Sequence, residues 1–321
     1  MAMLSKEFRL RMRGWRSLLI ITLYLGLLGA IGLGTIRTIR DNGGNSGLNA
    51  AAIGPQIFGA LAEIQLIMLA FITPALTAGA IAGEKERQTY DLLLTTRLSS
   101  VSIVLGKLVT SLAYLFLLLL LSLPLFAMAF LFGGTNLNQL GLTFLILLVA
   151  ALAMGSLSLL VSTLIRRVQL ATMVSYVLVF SLILGSGIFA NLIFSPPSSS
   201  VTLLPFEAPP APPTLTYLSP LAALSTVVTT PFGAAVSIPF LPLPTGLPDY
   251  YFSYSNYNTA SNYKVIYGAS GSVSYLPNFY SLPLIWPSYL AIYALIIVGS
   301  FSLSVLLVRP RRWWRSVKRN K

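Results

Sequence analysis

Six stretches of this chain are apolar, nearly free of charge and at least twenty residues long. They run over Ser17–Ile36, Pro55–Ala82, Val101–Phe132, Leu140–Ile165, Leu170–Phe194 and Pro287–Val308. About twenty such residues cross the ~30 Å hydrocarbon layer of a bilayer as a helix. Lipid offers no partner to a free backbone amide, so a helix is the economical way for each stretch to cross. The expected fold is therefore an all-α membrane protein with six spans. Span three exceeds one crossing, so part of it is expected to tilt or lie in the interface. Pro124 is expected to break it near its end.

Composition agrees. Charged residues make up 9% of the 321 and mean hydropathy is +0.80. Globular domains carry about 25% charged residues, and a chain at 9% could not cover a water-facing surface. The chain has neither cysteine nor histidine. Disulfides, thiolate metal sites, histidine-based triads and zinc-protease sites are excluded from it. No catalytic residue and no metal site is expected.

The charge is +13, which in a soluble protein would suggest nucleic acid. Around membrane spans it is better read through the excess of Lys and Arg in cytoplasmic segments, and no nucleic-acid partner is expected. Eighteen of the 21 cations fall in the N-terminal segment, the segment after span two, the turn between spans four and five, and the C-terminal tail. Arg37, Arg40 and Lys264 fall on the other side. Both termini are thus expected in the cytoplasm. A seventh span over Ser219–Pro244 would put the basic tail outside, and five prolines interrupt it. That stretch is expected to be interfacial or re-entrant. The N-terminal apolar stretch lacks an A-x-A cleavage site and is expected to stay as an anchor.

Residues 1–16 form a cytoplasmic segment in which Leu4, Phe8, Met12 and Trp15 share one helical face, with most cations elsewhere on the wheel. An amphipathic helix on the lipid surface is expected there. Residues 17–194 hold spans one to five, residues 287–308 span six, and residues 309–321 a basic cytoplasmic tail. Between them lies an outer loop, 195–286, with nine of the 15 tyrosines; with Pro287 it holds 16 of the 20 prolines. Its first half reads as extended and its second half, Tyr250 to Tyr280, as a small β-structure or lid.

Two intramembrane features stand out. Glu63, beside Gln65, is the ionisable residue deep in a span. It is a proton or substrate contact, or a carboxylate near the outer interface. Gly26, Ala30 and Gly34 line one face of span one, and Ala75, Gly79 and Gly83 the end of span two. Such faces let helices approach closely, within one bundle or between subunits.

The most informative stretch follows span two, over residues 83–100. Gly83-Glu84-Lys85-Glu86-Arg87-Gln88-Thr89-Tyr90-Asp91-Leu92-Leu93-Leu94-Thr95-Thr96-Arg97-Leu98-Ser99 sets alternating charges against a leucine run. It suits a short cytosolic helix that docks on a partner, its apolar side filling a groove and its charges setting the register. No phosphate-binding glycine loop is present; Gly106-Lys107 is followed by Leu108. The chain is not expected to hydrolyse ATP.

This segment resembles that of the type-2 ATP-binding-cassette (ABC) transporter permeases, largely exporters. Their segment reads Glu-Arg/Lys-Glu-x-Gly-Thr-Leu-Glu-x-Leu-Leu-x-Thr-Pro-x-Ser, followed by Leu-Gly-Lys. Glu84, Glu86, Arg87, Thr89, Asp91, Leu93, Leu94, Thr96, Ser99, Leu105, Gly106 and Lys107 match it. Gln88 replaces the usual glycine, Tyr90 a leucine and Arg97 a proline, which puts the local turn geometry in question. Leu218-Ser219-Pro220-Leu221 extends the likeness.

The resemblance implies a dimer of such permeases, identical or related, in a prokaryotic plasma membrane. Each would dock residues 83–100 on a separate ATPase subunit that holds ATP and Mg. The near-uncharged spans favour an amphipathic or lipid-like cargo. Two other readings remain at this point: a membrane scaffold that organises surface material through its outer loop, and an ion-coupled carrier centred on Glu63.

Overall fold

The computed structural model describes residues 15–43, 53–89, 100–133, 135–189, 214–227, 263–267, 273–277 and 285–308. Most of the surface helix expected over residues 3–16, most of the outer loop and the basic tail lie outside them; Trp15 and Arg16 open the first long helix instead.

Among the described residues, six helices are long and apolar enough to cross a membrane. Helix α1 (Trp15–Gly43) is span one, and α2 (Ile53–Thr77) with α3 (Gly79–Glu86) forms span two. Helices α4 (Ser100–Leu131) and α5 (Leu137–Leu164) are spans three and four. Helix α6 (Val168–Phe180) starts span five, which passes through a π turn at Ser181–Gly185 and ends at Phe189. A 3₁₀ turn (Thr214–Leu218), helix α7 (Pro220–Val227), strands β1 (Tyr263–Tyr267) and β2 (Val273–Pro277), and helix α8 (Ile285–Val308) complete the chain.

Span three corrects one expectation. Pro124 lies inside α4, and the helix continues past it to Leu131. Proline removes one amide and crowds the carbonyl four residues back. The neighbouring turns, with no water to satisfy them otherwise, hold the helix together.

Span four is the centre of the bundle. Ile146, Leu147, Ala150, Ala153, Met154 and Leu159 are buried along α5. Its start is fixed by Asn136, whose backbone amide donates to Gln139 Oε1 at 3.1 Å, a reciprocal arrangement at a helix start. Spans two, three, five and six surround it. The shared core joins Tyr24 and Leu28 of α1, Phe58 and Leu66 of α2, Leu115 and Phe126 of α4, and Tyr289 and Tyr293 of α8. Phe126 meets Phe58 and Phe144 edge to face, each at 5.2 Å between ring centres. Outward faces carry Leu23, Leu33, Leu120, Val177, Leu295 and Leu306, all exposed. Apolar residues on both faces are what lipid immersion demands.

Close backbone approach sets one glycine. A Cβ on Gly54 would lie 1.9 Å from the Gly133 carbonyl oxygen. The start of span two and the end of span three therefore meet where no side chain fits.

The described part of the Ser219–Pro244 stretch, residues 219–227, packs into the bundle. Ser219 Oγ accepts from the Ala222 amide at 3.4 Å, and Pro220 opens α7. Serine before a first-turn proline is a strong helix start, because proline's missing amide would have no partner there anyway. Pro220 to Leu224 and Val227 are buried, and Leu221, Ala223 and Leu224 belong to the same core as α5 and α8. In the second half of the loop, β1 and β2 pair antiparallel with Val265 opposite Tyr275, so the small β-structure expected there is present.

Candidate functional site

Span two continues through α3 toward the charged segment that follows it. Pro74 sits inside α2 and Thr77 Oγ1 donates back to the Thr73 carbonyl at 2.8 Å, while Ala78 keeps helical backbone angles and its amide donates to the Pro74 carbonyl at 2.9 Å. Both proline and such back-bonding bend helices. The α3 amides of Ile81 and Ala82 then donate to Ser162 Oγ of span four, at 3.0 and 2.8 Å.

Helix α3 ends in a well-formed stop. The Thr89 amide donates to the Glu84 carbonyl at 3.0 Å and the Gln88 amide to the Lys85 carbonyl at 3.3 Å. Gln88 adopts φ +58°. This paired 6→1 and 5→2 pattern with a left-handed residue is the Schellman stop, which favours glycine. Gln88 stands where the resembled segment carries glycine, the residue that takes a left-handed backbone at least cost. The turn geometry survives the departure, at a steric cost of about 1 kcal/mol.

The charged residues of the elbow have partners inside the chain. Glu84 pairs with Lys107 at 2.8 Å across to span three. Lys85 Nζ donates to the Thr163 carbonyl near the end of α5. Glu86 Oε2 accepts from the Val168 amide at 2.9 Å, at the first residue of α6. A cation at a helix C-terminus and an anion at a helix N-terminus both oppose the local end of the helix dipole. The Lys85-Glu86 pair therefore meets the α5–α6 turn with matching signs. Arg87 and Thr89 are exposed, and Gly106 has open space where a side chain would be. Asp91, Leu93 and Leu94 lie outside the described residues.

The small-residue faces differ. Gly79 and Gly83 meet Val168, whose γ-carbons would lie 3.6 and 3.7 Å from a Cβ built on each. Ala75 is exposed. In span one, Gly26 and Ala30 are exposed and Gly34 half-buried, and nothing approaches Gly26 within 4 Å of a built Cβ. The inner face of α1 is instead Tyr24, Leu28 and Thr35.

Glu63 is buried, with 7% of its surface exposed, and Gln65 fully so. Gln65 Nε2 donates to Ser122 Oγ at 2.9 Å, and Ser122 donates to the Leu119 carbonyl. This ties spans two and three together inside the bundle. Among the described residues no cluster of acidic side chains could hold a metal ion. An apolar groove of about 360 Å³, lined by Leu123, Pro124, Ala127, Phe130, Leu137 and Leu140, lies between spans three and four.

Sequence reading missed Ser162, Thr163 and Val168. A serine inside an apolar helix carries little signal, and the other two act through backbone groups. The faint clue is that Ser156, Ser158, Ser162 and Thr163 crowd hydroxyls into one half of span four.

Comparison with curated proteins found no match. The family model described as "ABC-2 family transporter protein" matches residues 1–307. With six candidate spans and nearly its whole length matched, the chain belongs to the ABC-2 family of membrane transporter proteins.

Proposed function

We propose that this chain is the permease subunit of an exporter whose ATP hydrolysis takes place in a separate cytoplasmic subunit docked on residues 83–100. The observation that carries the reading is the elbow itself: a helix closed by a Schellman stop and anchored to spans three, four and five, leaving Arg87 and Thr89 exposed. A well-anchored helix with an exposed charged end can pass movement into a bundle, as a freely hanging loop cannot. ATP and Mg would be held by the partner. Two permeases would pair, and the open small-residue face of α1, Gly26 and Ala30, suits close approach of a second helix.

The cargo is proposed to be amphipathic or lipid-like. The described span interiors offer hydroxyls, an amide and apolar rings, with Glu63 as their buried carboxylate. An apolar cargo meets little penalty on such a surface, whereas a bare ion would need several converging polar groups. Passage outward would require α7, buried between spans two, four and six, to move.

Purification in mild detergent tests the proposal. An ATPase subunit should copurify, and Leu93→Asp should abolish both its retention and the ATPase activity. Retention and activity unchanged by Leu93→Asp would reject the docking assignment. Uptake driven by a proton gradient without ATP would favour a carrier centred on Glu63.

A further inference from the structure

The geometry points to a specific load path: α3 is a lever carried by the turn between spans four and five, with Ser162 as its positioning residue. This deepens the ATPase-driven reading and rests on it. Along the chain, α3 continues α2 through Ala78, whose amide donates to the Pro74 carbonyl, in a stretch where Pro74 supplies no amide and Thr77 back-bonds to Thr73. Across the bundle, the lever is held at both ends. Ser162 Oγ takes two amides of its first turns, while Lys85 and Glu86 take the end of α5 and the start of α6. Gly79 and Gly83 lie against Val168 along the same side.

A push at the exposed end of α3, at Glu86, therefore meets a set of directional hydrogen bonds to α5 and α6 as well as the helix running into α2. Those bonds carry the displacement into spans four and five. Span four carries it onward, since Ser300 Oγ of span six donates to Ser156 Oγ at 2.8 Å. Ser162 is fully buried in span four, beyond the reach of a docked partner. Its loss thus reports on the lever and not on docking.

The chain has no cysteines, so a single pair can be introduced cleanly. In the complex with its ATPase subunit in lipid nanodiscs, Gly83→Cys with Val168→Cys is bridged by a short bifunctional thiol reagent. If lever and turn travel together, the bridged complex hydrolyses ATP within about twofold of the unbridged one. A drop of about tenfold or more with the ATPase subunit still bound means that α3 slides past span five, and overturns the load path. A second measurement uses the permease alone. Ser162→Ala should speed amide exchange at Ile81 and Ala82 by about tenfold or more, and Ser162→Thr, which keeps the hydroxyl, should restore protection. Unchanged exchange in Ser162→Ala overturns the proposal whatever the ATPase result. If no ATPase subunit copurifies with the unmodified chain, the proposed function falls, and the load path falls with it.

Discussion

The two ends of the bundle are closed by opposite means. At the end that carries the charged segment, α3 is held by an ion pair, two charged contacts to helix termini and a serine shared by two amides. At the opposite end, α7 is held chiefly by burial of Pro220 to Leu224 and Val227, and Tyr293 Oη donates to the Leu218 carbonyl of the adjoining 3₁₀ turn at 3.0 Å. The first is a polar joint with directional contacts and defined partners. The second is a fitted, mainly apolar plug. Directional contacts keep their geometry while a load passes through them. A plug held mainly by burial can leave and return along many paths. Under the proposed function, the difference suits one end that receives a push and another that opens.

The comparison can be broken first at the plug. Ala222 and Ala223 are fully buried, so Ala223→Asp puts a charge where nothing is built to pair with it. A loss of about 3 kcal/mol or more is expected, read as a lower denaturant midpoint in detergent or a failure to accumulate. The polar joint gives a smaller effect that depends on salt. Glu84→Ala should cost about 1 kcal/mol, because both partners of the pair are partly exposed. Glu84→Lys with Lys107→Glu should recover much of it. Raised salt should speed amide exchange over residues 79–89 and leave residues 220–227 unchanged; equal responses would erase the distinction between the two ends. Tyr293→Phe should cost about 1 kcal/mol through its lost hydrogen bond, measured as faster exchange in the 3₁₀ turn. The smallest effect is a gain. Gln88→Gly should stabilise the α3 stop by up to about 1 kcal/mol, seen as slower exchange of the Thr89 amide.

The spans and the elbow were legible for different reasons. Twenty apolar residues in a row have few fates, so Ser17–Ile36 and Pro287–Val308 fall within α1 and α8. Pro124 misled because a rule from soluble helices was carried into lipid, where unravelling leaves backbone groups bare. Residues 84–89 were legible through their charge pattern and family likeness. Their internal partners were not, because the Thr163 carbonyl and the Val168 amide belong to every sequence. Contacts of that kind depend on which turn the fold brings alongside. The buried α7 was half legible: prolines argued against a span, and Ser219-Pro220 marks a helix start, but its burial depends on room left between spans two, four and six.

The π turn in span five has a consequence for how its edge is aimed. Ala171, Ser175, Val179 and Ile183 are buried at four-residue steps, and Gly187 is buried one step further. In a pure α-helix each such step overshoots a full turn by about 40°, which over four steps would swing the edge by about 160°. The wider turn at Ser181–Gly185 takes up part of that excess. One surplus residue thus works as a vernier, keeping the upper part of the helix aimed into the bundle, where Ile183 shares a core with Val179. Removing a residue from Ser181–Gly185 would send Ser186 and Gly187 toward the lipid, with little change of composition to announce it.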